Sequence, residues 1–111
     1  MMTECPVIFP TGIGVVPWMV PGGRAIGVET SKLMEQYDVA IWAHHGMFCS
    51  GPDFDTTVGL MHTVEKAAET LVKVISMTGG KKLQTITPQD FRDLAVDFKL
   101  TLPEKFLYEK E

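Results

Sequence analysis

At 111 residues, 45% of them hydrophobic and 22% charged, the chain can bury one hydrophobic core but not two, which excludes a multidomain machine and a disordered or fibrous polymer. Fourteen acidic against ten basic residues leave a net charge of -4, the wrong sign for holding nucleic acid by neutralising phosphates. No apolar stretch approaches the roughly 20 residues that span a bilayer, no secretory signal opens the sequence, and two cysteines make no disulfide framework, so the expectation is a cytoplasmic protein with free thiols and neither a membrane nor a nucleic-acid partner.

Taken in chain order, residues 7–9 are a short β-branched and aromatic run closed by Pro10, and residues 12–16 form a second extended piece before Pro17. Both read as strands. After the break at Pro21, Gly22 and Gly23, the residues Ile26, Thr30, Leu33, Met34 and Tyr37 recur at helical spacing and predict a helix to about residue 37. Residues 39–43 hold no polar side chain and are too few for a buried helix, so they predict a central strand covered on both faces. His44, His45 and Gly46 stand at its C-terminal end, and Gly51, Pro52 and Asp53 supply a turn and an N-cap.

The clearest helix follows, with Val58, Met61, Val64, Ala68, Leu71, Val72 and Ile75 as its core face and His62, Lys66, Glu69 and Lys73 as a polar stripe, stopped by Gly79 and Gly80. Thr87, Pro88 and Asp90 open a last helix carrying Phe91, Leu94, Ala95 and Phe98. Phe106, Leu107 and Tyr108 then give the charged tail something to dock with. Strands alternating with helices make the fold class α/β, a single domain over residues 1–111. Three helices and three or four strands form a small sheet, and its fully apolar central strand calls for more protein around it.

The residues able to bind metal are His44, His45, His62, Cys5, Cys49 and several carboxylates. There is no His-X-His and no Cys-X-X-Cys. Adjacent residues in an extended backbone point to opposite faces, so at most one of His44 and His45 can serve an ion. By the residues alone, that pair is either hydrogen-bonded in a polar pocket or contributes a metal ligand. His62 reads as a solvated surface histidine, and both cysteines as buried, unreactive thiols. The glycines at 12, 14, 22 and 23 match no phosphate-binding spacing and serve turns. Trp18 and Met19 either plug the core or present an apolar surface to a partner, with the core the favoured reading.

The ordered string Thr3-Glu4-Cys5, Val7-Ile8-Phe9-Pro10, Gly12-Ile13-Gly14 and Pro17-Trp18-Met19-Val20-Pro21-Gly22, continued by Trp42, His45-Gly46, Phe48, Ser50-Gly51-Pro52, Gly59-Leu60, Glu65-Lys66, Leu71-Val72-Lys73-Val74 and Ser76-Met77, resembles sugar-phosphate aldolases of the class II zinc aldolase and adducin-like family. The resemblance is close from about residue 3 to 77 and looser over the last helix. It implies a three-layer α-β-α fold with a mostly antiparallel central sheet, a homotetramer of aldolase subunits, a sugar-phosphate substrate cleaved by a reversible retro-aldol reaction, and a Zn2+ ion as Lewis acid. Carried over residue by residue, the family's third zinc histidine falls on His45, Glu4 matches an acid thought to move protons near a neighbouring subunit's metal, and His44 becomes pocket lining.

The family's remaining zinc ligands form a His-X-His motif, its base lies in a Thr-Ser-Glu motif, and its phosphate loop is rich in glycine and serine. None of these occurs in the 111 residues. The expectation is therefore the C-terminal portion of an aldolase, inactive by itself and prone to self-association. A non-catalytic module that assembles with aldolase subunits, or an aldolase for a related sugar phosphate, are the competing readings.

Overall fold

Residues 2–82 and 84–108 are described by a computed structural model of the chain. They form, in order, α1 (Glu4–Ile8), β1 (Gly14–Val16), α2 (Arg24–Met34), β2 (Val39–Trp42), β3 (Gly46–Cys49), α3 (Phe54–Met77), α4 (Pro88–Asp97) and α5 (Glu104–Leu107). The chain divides into two compact units, Thr11–Met61 and the residues up to Pro10 together with those from His62 onward.

The Thr11–Met61 unit is built on a three-stranded sheet in the order β1-β2-β3. β1 runs parallel to β2 with Val15 opposite Ile41, and β3 runs antiparallel to β2 with Phe48 opposite Ala40. The α/β class is as expected, with one parallel and one antiparallel neighbour to the central strand. Parallel strands need a crossover, and α2 supplies it. It ends where the Leu33 carbonyl accepts from both Gln36 and Tyr37 N–H at 3.0 Å.

Val39 and Ala40 of β2 are wholly buried, as a central strand requires, whereas Ile41 and Trp42 are half-buried. Cover is thus complete over only the first half of β2, a partial departure from the expected burial on both faces. The edges are more open still, with Val15 58% exposed. Residues 46–49, left without an element by the sequence reading, pair as β3. Trp18 is 64% exposed, which overturns its reading as a core plug: the prolines on either side hold residues 17–20 outside any helix or ladder.

In the other unit, Val7 and Ile8 belong to α1 and Phe9 caps its C-terminal end, so the run 7–9 is not a strand. Cys5 and Phe9 are both buried, and the Phe9 N–H donates to the Cys5 carbonyl at 2.9 Å. Four-residue spacing puts these two side chains on one helical face. Pro6 is tolerated because N–H groups of a first turn have no intrahelical acceptor, and Glu4 in that turn complements the helix dipole. The apolar run at 7–9 mimicked a strand because its partner position, Cys5, lay outside it.

α4 opens with the expected capping box, the Thr87 hydroxyl accepting from Asp90 N–H at 3.2 Å and the Asp90 carboxylate from Thr87 N–H at 2.8 Å. The tail docks on it as expected. Phe106 of α5 meets Phe91 of α4 at 6.3 Å between ring centroids, and the Arg92 guanidinium lies 5.7 Å from the Tyr108 ring and donates to the Leu107 carbonyl.

α3 starts on Asp53, whose carboxylate accepts from Thr56 N–H at 2.7 Å, and stops where Gly80 N–H returns to the Ile75 carbonyl at 2.8 Å with Gly79 at a φ of 62°. Both ends are as read from the sequence. Its core face is not: Leu60 and Val64 are buried, while Val58, Met61, Leu71 and Val72 are exposed, Val72 at 63%. The stripe marks an amphipathic helix correctly, but most of it has no cover among the described residues. No helix among them is long and apolar enough to cross a membrane.

Candidate functional site

The hairpin between β2 and β3 carries both candidate histidines. Its turn is closed by the His45 N–H, which donates to the Trp42 carbonyl at 3.0 Å, and the parallel ladder reaches its edge through Ala43 N–H on the Val16 carbonyl at 3.1 Å. His44 takes a left-handed φ of 61°, a conformation in which histidine is enriched among non-glycine residues. The pair therefore does not alternate as in a strand. Both rings are exposed.

His45 does not stand alone. Its imidazole centroid is 5.3 Å from that of the Trp42 indole at 36° between planes, and Trp42 in turn meets Phe48 at 4.4 Å and 37°, distances at which aromatic rings attract in tilted arrangements. The indole N–H donates to the Thr30 hydroxyl at 2.7 Å, and that hydroxyl donates to the Ile26 carbonyl one turn earlier in α2, also at 2.7 Å. Thr30 is thus fixed as an acceptor by its own helix. The sequence reading placed Thr30 on the packing face of α2 and quoted Trp42 for the family likeness, but no spacing rule joins residues twelve positions apart.

Glu4 is exposed in the first turn of α1 and belongs to the other unit. His62 is exposed on α3, as expected. On the same stripe, Lys66 and Lys73 reach Glu69 at 2.9 and 2.6 Å and hold its carboxyl down at about 2. Burial pushes the thiols of Cys5 and Cys49 above the ordinary cysteine range, which agrees with their reading as unreactive. Lys81 and Lys82 are exposed.

A catalytic zinc takes three protein ligands and keeps one position open. Among the described residues no group of three His, Cys, Asp or Glu stands close enough together to hold a metal. A whole zinc site does not fit the described residues.

The Class II Aldolase and Adducin N-terminal domain matches residues 1–72. The chain belongs to the class II aldolase and adducin family. Rhamnulose-1-phosphate aldolase of Yersinia pestis (strain Pestoides F) is 52% identical over 99 residues, which is 89% of this chain and 35% of that protein. The protein of the same name from Yersinia pseudotuberculosis serotype O:1b (strain IP 31758) gives the same identity and coverage. The chain therefore spans about a third of the length of the curated relatives it matches. The family match takes in α1, the whole sheet and most of α3, so Glu4 and the His45 hairpin both lie inside it.

Proposed function

We propose that residues 1–111 are a single piece of one class II aldolase domain whose whole form cleaves L-rhamnulose 1-phosphate reversibly into dihydroxyacetone phosphate and L-lactaldehyde. The observation that carries this reading is the 52% identity over 99 residues to rhamnulose-1-phosphate aldolases. It is joined by the His45-Gly46 pair on an exposed hairpin. In retro-aldol cleavage, a base removes the proton of the hydroxyl beside the scissile bond, that oxygen becomes the aldehyde carbonyl, and the bonding electrons pass to the dihydroxyacetone phosphate half, which is then protonated. Zn2+ would act as the Lewis acid of the whole enzyme. To that chemistry this chain brings His45 as one of three ligands and Glu4 as a proton carrier.

The rest of the proposed domain has a mostly antiparallel sheet in three layers, assembles as a homotetramer and works in the cytoplasm. The base, the phosphate loop and the His-X-His pair have no counterpart among the 111 residues, so neither substrate positioning nor proton abstraction is supplied and the chain alone is inactive. The exposed apolar residues of α3, Val58, Met61, Leu71 and Val72, favour a second reading, a non-catalytic module that works by assembling with aldolase subunits. The sugar specificity is the point at which an aldolase for a related sugar phosphate competes.

The test is zinc content and cleavage of L-rhamnulose 1-phosphate by the 111-residue chain beside a version extended with the upstream residues of its relatives. Activity and stoichiometric zinc in the extended version alone, both lost in its His45→Ala variant, is the expected result. Activity in the short chain would overturn the account of the site, and activity in neither would favour the assembly module or a different sugar.

A further inference from the structure

We propose that Trp42 is a positioning residue for the His45 imidazole and that Thr30 anchors it. The inference rests on the reading of His45 as a site residue and adds what holds its ring. A histidine whose ring must meet a ligand in one orientation is commonly fixed by a hydrogen bond to its second nitrogen. Among the described residues neither ring nitrogen of His45 is held in that way, and the exposed imidazole instead lies 5.3 Å from the Trp42 indole at a tilt of 36°. The indole plane is the reference against which the imidazole can settle.

An indole can serve as a reference only if its own plane is fixed. Three contacts do this: the ladder pairing of Trp42 with Gly46, the tilted contact with Phe48 at 4.4 Å, and the N–H bond to Thr30 at 2.7 Å. The last has a set direction, because the Thr30 hydroxyl proton is committed to the Ile26 carbonyl and its lone pair faces the indole. Position is thus relayed from the backbone of α2, through a hydroxyl and an indole, to an imidazole on a mobile type of element, a hairpin turn. The turn reinforces the relay, since the His45 N–H is bonded to the Trp42 carbonyl.

The experiment is nuclear magnetic resonance of the unaltered chain and of Trp42→Leu, Thr30→Val and Thr30→Ser. In the unaltered chain the His45 Cδ2 and Cε1 protons should be displaced by the indole ring current and show cross-relaxation with Trp42. Trp42→Leu should return them to the positions of a solvated histidine. Thr30→Val, which keeps the shape but loses the acceptor, should broaden or shift them, and Thr30→Ser should restore the native positions. A structural role for Thr30 in packing alone would not separate serine from valine in this order.

His45 signals undisplaced in the unaltered chain, or unmoved in Thr30→Val, would overturn the proposal even if Trp42→Leu failed to fold. The readout needs neither metal nor substrate. An extended chain without aldolase activity but with displaced His45 signals would therefore sink the functional reading and leave the positioning intact, and the reverse result would do the opposite.

Discussion

A Cβ atom on Gly14 would stand 2.9 Å from Cδ2 of Tyr37, with both Leu33 methyl carbons at 3.2 and 3.3 Å. The absence of a side chain at Gly14 lets α2 lie directly on β1, and α2 in turn brings Thr30 to Trp42. Gly14→Ala should therefore destabilise the fold by about 1–2 kcal/mol, as overpacking of a filled site does, even though alanine narrows the unfolded ensemble. A lowered midpoint in urea unfolding is the expected measurement. An unchanged midpoint would mean that α2 sits farther from the strand.

How much of this was legible beforehand depended on the range of the signal. The capping box at Thr87 and Asp90, the glycine stop of α3 and the central strand at Val39 and Ala40 are local patterns, and each was readable because neighbours within four residues determine it. That His44, His45 and Gly46 follow the end of a strand was readable too, from the apolar run at residues 39–43 before them. The helix of α1 was misread because both of its buried residues, Cys5 and Pro6, lay outside the apolar run that drew attention. The Thr30–Trp42 bond was invisible because it joins a helix to a strand after the chain has turned back. The exposed face of α3 could not be foreseen from periodicity, which reports that a face is apolar and not what covers it.

The left-handed turn residue His44 gives a second prediction. A Cβ in that conformation costs roughly 1–2 kcal/mol, and β-branched residues suffer most. Histidine already bears that Cβ, so His44→Val should lose only the added cost of β-branching, on the order of 1 kcal/mol, and should speed hydrogen exchange at the His45 amide, whose bond to Trp42 closes the turn. His44→Gly should stay within about 0.5 kcal/mol of the parent, since relief of strain offsets the greater freedom of the unfolded chain. If the valine variant were as stable as the parent, the turn would have an alternative closure.

Glu69 predicts a pH dependence of defined sign. Hydrogen bonds from Lys66 and then Lys73 lower its carboxyl from 4.5 to about 2, so the folded state binds its proton less readily than the unfolded state. The stabilisation from this cluster is complete above about pH 4.5 and is lost as the pH falls from there through about 2. All three groups are on the surface, so the effect is small and screened by salt. Glu69→Gln should unfold slightly earlier than the parent at pH 7 in low salt. The difference should shrink both on acidification through that window and on adding salt, and a difference that persisted at pH 2 would show that the charge is not its source.

Lys99 sits at the end of α4 where glycine is the common choice. Its φ is 54°, its N–H meets the Val96 carbonyl at 3.3 Å, and the next N–H, from Leu100, meets the Ala95 carbonyl at 2.9 Å. This is the double closure of a Schellman motif, built on a residue with a Cβ. Two effects oppose each other in Lys99→Gly, because removing the Cβ relieves the left-handed strain while removing the ammonium group gives up roughly 0.3–1 kcal/mol of favourable interaction with the helix dipole. Lys99→Ala separates them, since it removes the charge and keeps the strain. The glycine variant should exceed the alanine variant in stability by about 1 kcal/mol, with the parent between them, as measured by the midpoint of chemical unfolding. An alanine variant equal to the glycine variant would mean that α4 can end without the left-handed residue.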